Sequence, residues 1–126
     1  MTLDKILVVD DDLDILEVLK FLLRKHGYEV ILESEAQKVI NTVKENKPDI
    51  VLLDINLSGY DGREICKYLK TVLKINMPIV LFSANTTYKN SFKEYSANEF
   101  IEKPFEVKKL LSVLHSLLPA KSQIAH

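Results

Sequence analysis

Only one cysteine, Cys66, occurs in the 126 residues. It has no partner for an internal disulfide and falls in an expected helix, so the cytosol is the simplest compartment. No apolar run nears the length of a membrane span. The amino-terminal stretch MTLDKILVV has too short an apolar core for a signal peptide. A surplus of charge is also missing. The net charge is −1, which argues against non-specific nucleic-acid binding, because that affinity rests largely on basic residues. The three histidines (His26, His115, His126) lie on different segments and make no plausible zinc set. No linker, low-complexity tract or repeat divides the chain. What remains is a single domain over residues 1–126, with a tail of about 120–126 too short to be a domain. Its 47% hydrophobic residues suffice for a sandwiched sheet, and folding should bury roughly two thirds of the extended surface.

The apolar pattern gives five strand–helix units. Residues 5–9 (KILVV) form the first strand. Ile15, Leu16, Leu19, Leu22 and Leu23 recur at helical spacing and end at Lys25-His26-Gly27, a carboxyl-terminal signal. Residues 28–32 make a second strand, weaker in alternation and toward an edge. Ala36, Ile40 and Val43 mark a second helix that ends before Pro48. The central strand is 49–53 (DIVLL), followed by the turn-rich INLSGYDG. Asp61 can cap a third helix running through Ile65, Leu69 and Val72. Pro78 opens the fourth strand, where its ring is tolerated. A fourth helix near 87–95 has the weakest apolar pattern. Strand five covers roughly 99–102. The last helix carries Val107, Leu110, Leu111, Leu114, Leu117 and Leu118, with Pro119 closing it. Short Val/Ile/Leu runs alternating with helices imply a parallel sheet buried on both faces, an α/β doubly wound fold with right-handed crossovers.

Four of the apolar runs end in reactive polar residues: ILVV at Asp10-Asp11, DIVLL at Asp54, PIVLF at Ser83 and NEFIE at Lys103-Pro104. In a parallel sheet the carboxyl ends of the strands share one edge, and ligands bind in the crevice there. Three carboxylates, a hydroxyl and an ammonium then converge on one site. That set can hold a divalent cation and a phosphoryl group, with one Asp as nucleophile. Each residue alone also has a plainer reading. The cluster Asp10-Asp11-Asp12-x-Asp14 suits a helix amino terminus. Asp54 and Ser83 can start turns, and a lone Lys is usually solvated. Crowding favours the metal, since carboxylates about 4 Å apart repel by roughly 4 kcal/mol at an effective dielectric near 20.

These residues are where a family resemblance enters. ILVVDDD (6–12), DIVLLDINLSGYDG (49–62), IVLFSA (79–84) and EFIEKPF (99–105) stand in the order and near the spacing of response-regulator receiver domains. Those are the phospho-accepting modules of two-component signalling, and the resemblance spans the chain. It implies a flavodoxin-like five-stranded sheet of order 2-1-3-4-5 with five helices. It assigns Asp54 as phosphoacceptor, and Asp10, Asp11, Asp54 and the backbone carbonyl of Asn56 to Mg²⁺, with Mn²⁺ as a substitute. Asp12 and Asp14 are then capping or first-turn residues. Lys103 and Ser83 would contact the phosphoryl group, and the Lys103–Pro104 bond would be cis. Ser83 and Phe100 would form a packing switch read out on helix four, strand five and helix five. A core aromatic with no switching role is the plainer reading of Phe100, which lacks the hydroxyl of the Tyr found in many relatives.

The implied partners are a sensor histidine kinase or histidine phosphotransfer protein and a downstream protein target, with neither nucleic acid nor membrane bound directly. With no effector segment after the last helix, the expected output is protein–protein. The chain would catalyse its own phosphorylation and dephosphorylation without turning over a metabolite, so it is not expected to be an enzyme in the usual sense. Two departures from the family pattern stand out. Ser58 occupies a position usually held by Pro, implying a more flexible loop, and Ser96 replaces a common Gly. Three rival readings share parts of this pattern. An aspartyl-nucleophile phosphatase needs a second Asp two residues after Asp54, where Asn56 stands. A flavodoxin-type electron carrier needs a phosphate-cradling loop where three Asp would repel FMN. A degenerate receiver acting as a phosphorylation-independent interaction module is the alternative that stays open, with the presence of all five chemical residues counting against it.

Overall fold

Ile50–Asp54 and Ile79–Ser83 are buried at every position, as strands in the middle of a covered sheet must be. The computed structural model describes residues 3–118. The expected stop at Pro119, the tail of about 120–126 and His126 lie outside the described residues. The strands are β1 (Lys5–Val9), β2 (Glu29–Glu33), β3 (Ile50–Asp54), β4 (Asn56–Leu57), β5 (Tyr60–Asp61), β6 (Ile79–Ser83) and β7 (Glu99–Glu102). Five form one parallel sheet in the order β2-β1-β3-β6-β7. With the two short strands β4 and β5 set aside, this is the order 2-1-3-4-5 of a flavodoxin-like fold. The weakly alternating second strand sits at one edge, with burial only partial after Val30.

Among the described residues four α-helices cover the sheet: α1 (Leu13–Lys25), α2 (Val39–Asn46), α3 (Gly62–Lys67) and α4 (Val107–Leu117). One face packs Ile6, Val8, Leu52, Val80 and Ile101 against Leu16, Leu19 and Leu23 of α1 and Leu110 and Leu114 of α4. The other packs Leu7, Val9, Leu53 and Leu81 against Val39 and Val43 of α2 and Cys66 and Leu69 around α3. Successive strand residues thus feed opposite cores, as a period of two requires.

Two elements differ from the sequence expectation. The segment expected as a fourth helix near 87–95 is two 3₁₀ turns, Thr86–Tyr88 and Phe92–Tyr95. Thr, Asn and Ser there bond locally to the backbone in place of a helical ladder. Asn85 takes the Thr87 N–H at 3.0 Å, and the Ser91 hydroxyl donates to the Tyr88 carbonyl at 3.1 Å. The third helix turns π-helical over Tyr68–Val72. Ser96 closes the second 3₁₀ turn in the left-handed region, φ 65°. That is the conformation a Gly adopts without penalty, which accounts for Gly being common at this place in the resembled pattern.

Candidate functional site

Strand alternation aims the site. Asp10 follows Ile6 and Val8, Asp54 follows Ile50 and Leu52, and Lys103 follows Ile101, all on the face covered by α1 and α4. Asp54 pairs in register with Phe82, and Ile101 pairs with Phe82 from the other side. The Lys103 ammonium lies 4.6 Å from the Phe82 ring centroid. From there it donates to Asp10 Oδ2 at 2.7 Å and pairs with Asp54 Oδ2 at 3.3 Å. The Lys103–Pro104 peptide bond is cis.

Asp10, Asp11 and Asp54 each offer one carboxylate oxygen within 4.8 Å of the others. Asp10 and Asp54 are buried, while Asp11 is exposed at the mouth. Asp10 Oδ1 accepts from the Asp12 backbone N–H at 2.9 Å. Asp54 Oδ1 accepts a long bond from the Asn56 N–H at 3.4 Å. Asp12 caps α1, taking the N–H groups of Asp14 and Ile15 at 3.0 and 3.4 Å, so the acidic run splits between capping and the site. Three carboxylates face one ammonium. Burial, then the charge of Asp10, push the Asp54 carboxyl up from 3.8 to about 6, although Lys103 pulls the other way. An all-oxygen cluster with excess negative charge fits a hard divalent cation such as Mg²⁺, which takes a few carboxylates and keeps its waters.

Ser83 is fully buried at the end of β6. Its Oγ accepts the Asn85 N–H at 3.0 Å, and among the described hydrogen bonds it touches no carboxylate. The structure therefore groups Asp10, Asp11, Asp54 and Lys103 directly and leaves Ser83 one strand end away. By register Ser83 shares a face with Leu81 and its partner Phe100. Phe100 is buried among the core residues of that face.

Three residues given no role at the site from sequence also shape it. Gly62 lies so close to β3 that a Cβ there would overlap the Asp54 carbonyl oxygen, and its N–H donates to the Ile55 carbonyl at 2.7 Å. Only its place in the turn-rich segment after Asp54 hinted at this. Arg63 is held by the Asp61 carboxylate at 2.8 Å and lies between the Tyr88 and Tyr95 rings, 4.3 and 4.7 Å from their centroids. It fastens the 3₁₀ segment to α3, and no sequence signal marked that contact. Ser58, noted only as a departure from Pro, has φ 45°, followed by Gly59 at φ 90°. The two residues join β4 to β5 as a two-residue hairpin loop with positive φ at both central positions. Proline cannot adopt that φ. In this turn the Ser58 hydroxyl donates to Asp11 Oδ2 at 2.6 Å.

A family model described as the response regulator receiver domain matches residues 6–115. Among solved structures, the BeF3-activated N-terminal receiver domain of RstA from Klebsiella pneumoniae is 30% identical. That alignment has a TM-score of 0.84 and covers 90% of this chain and 97% of that one. A CheY-like response regulator receiver domain protein from Methanospirillum hungatei is 28% identical at TM-score 0.84, over 91% of this chain and 93% of that one. NtrX from Brucella abortus is 30% identical at TM-score 0.82, covering 93% of this chain but 27% of the longer NtrX chain.

Proposed function

The chain belongs to the response-regulator receiver family, and from that premise we propose that Asp54 is its phosphoacceptor. The donor is a phosphohistidine on a sensor kinase or histidine phosphotransfer protein. The observation that carries this reading is the buried Asp54 carboxylate, ending β3 beside Lys103 and within the Asp10–Asp11 cluster. A carboxylate oxygen of Asp54 attacks phosphorus, the P–N bond to the donor imidazole breaks, and the ring leaves with its electron pair and takes up a proton. The product is a mixed anhydride on Asp54. Such transfers need positioning and charge neutralisation more than covalent help. Lys103 lies ready to neutralise a phosphoryl oxygen, because its ammonium already bridges Asp10 and Asp54. Asp10, Asp11, Asp54 and the carbonyl of Asn56 would hold Mg²⁺, or Mn²⁺ in its place. When bound, the ion supplies charge neutralisation between the attacking carboxylate and the incoming phosphoryl group.

The rest of the reading concerns output. Ser83 donates its hydroxyl to the new phosphoryl group and vacates space beside Phe100 on the same sheet face, and Phe100 repacks. The response reaches the surface formed by residues 86–95, β7 and α4, where a protein target binds. This is a bistable packing element biased by a local charge change. One receiver domain occupies the chain, working in the cytoplasm as a signalling phosphoprotein that promotes its own phosphorylation and hydrolysis. Among the described residues no helix is long and apolar enough to cross a membrane.

The test is the intact mass of the protein after incubation with acetyl phosphate and Mg²⁺. One added phosphoryl group is expected, absent in Asp54→Asn and reduced in Lys103→Ala. Undiminished labelling of the Asp54 variant would remove the assignment.

A further inference from the structure

The three carboxylates of the cluster are held in three different ways. Asp10 and Asp54 share the Lys103 ammonium, and each also takes a backbone N–H from the residue two places on. Asp11 lies beyond those pairs. It is exposed, and its described hydrogen-bond partner is a side chain 47 residues away, the hydroxyl of Ser58 at 2.6 Å. That distance is short, as expected for a hydroxyl donating to an ionised carboxylate.

The hydroxyl reaches Asp11 because of the turn that carries it. Positive φ at Ser58 and Gly59 closes the β4–β5 hairpin in two residues. The hairpin is anchored at its base, where the Gly62 N–H donates to the Ile55 carbonyl and Asp61 caps α3 by accepting from Arg63. The donor thus comes from an ordered element, and the same hairpin begins with Asn56.

We infer that Ser58 is a positioning residue for the divalent cation: its hydroxyl fixes the exposed carboxylate of Asp11 in the orientation the cluster needs. This rests on the reading of Asp10, Asp11 and Asp54 as a cation site. An exposed aspartate loses rotamer freedom when it becomes a ligand, and a standing hydrogen bond has already removed part of that freedom. Carboxylate oxygens have lone pairs to spare, so the hydroxyl can stay on Oδ2 while the other oxygen of Asp11 remains open to a ligand. Hydrogen-bonding partners of metal ligands typically contribute 10–100-fold in affinity. For a bond this exposed, about tenfold is expected.

Mn²⁺ binding to the unphosphorylated protein, followed by electron paramagnetic resonance, with Mg²⁺ added as competitor, reads this without reference to phosphorylation. Ser58→Gly keeps the positive-φ turn and removes the donor; it should bind Mn²⁺ about tenfold more weakly. Ser58→Asn tolerates the left-handed conformation and returns an N–H donor, and it should recover most of the loss. Affinity of Ser58→Gly within about twofold of the parent protein would overturn the inference, as would a Ser58→Asn variant no better than Ser58→Gly. A parent protein that binds no Mn²⁺, or an Asp11→Asn variant that binds it as well as the parent, would remove the cation site itself and this inference with it.

Discussion

At the residue scale, Asp54 is pushed up to about 6 by burial and then by the charge of Asp10, with Lys103 offsetting only part. A carboxyl that holds its proton more tightly in the folded state than in the unfolded one, near 3.8, favours folding while protonated. That contribution is complete below about pH 3.8 and is lost as pH rises through about 6. In chelator, Asp54→Asn should therefore be more stable than the parent protein at about pH 7.5, by roughly 1–2 kcal/mol after discounting for solvent screening. The gain should shrink toward about pH 4. Urea unfolding at both pH values measures it, and a pH-independent difference between the two proteins would contradict it. Cys66 is a contrasting case. Burial pushes its thiol up to about 12, so this sulfur belongs to the core and not to reactivity. Asp54 could be picked out in the sequence because other apolar runs also end in polar residues, and a parallel sheet gathers those ends at one edge. Arg63 could not, since its partners Tyr88 and Tyr95 lie in a segment with no usable periodicity.

At the element scale, the hairpin after β3 and the segment before β7 carry the differences from expectation. INLSGYDG reads as turn-rich, but sequence does not say which turn forms. The answer depends on Ser58 accepting a left-handed backbone and on Asp11 being close enough to receive its hydroxyl. Residues 86–95 have few apolar positions, so local bonds from Asn85 and Ser91 and the contact of Arg63 with Tyr88 and Tyr95 hold them in place of a helical ladder. Gly62 shows the same dependence on close approach. Any side chain there would strike the backbone of the residue proposed to react. Gly62→Ala should cost about 2 kcal/mol or more by forcing α3 away from β3. It should also weaken Mn²⁺ binding, because Asp54 moves with that backbone. Thermal unfolding and the metal titration check the two effects, and a variant matching the parent in both would show that α3 yields freely.

For the whole molecule, two apolar cores on opposite faces of one sheet hold the strand ends in register, so Asp54 at the end of β3 meets Asp10 and Lys103, each one residue past its own strand. The result is a stable scaffold carrying a small excess of negative charge at one edge. A ligand that binds only this folded arrangement stabilises it by mass action. Mg²⁺ at about ten times its dissociation constant should add about 1.4 kcal/mol, raising Tm by roughly 5 °C for a domain of this size. Asp11→Asn should abolish the rise, and a calorimetric scan with and without Mg²⁺ measures it. An equal rise in the variant would mean that the ion acts elsewhere.

The two-sided core and the gathering of Asp10, Asp11, Asp54 and Lys103 at one sheet edge follow from the sequence pattern, and the strand order from the resemblance to receiver domains. Apolar runs of strand length joined by helices leave a parallel sheet few arrangements, and its carboxyl ends lie together by construction. Tertiary structure alone decided how Asp11 is held, what conformation residues 86–95 adopt and why position 62 must lack a side chain. Those outcomes depend on distances of a few ångströms between atoms far apart along the chain, and periodicity in a sequence carries directions but not separations.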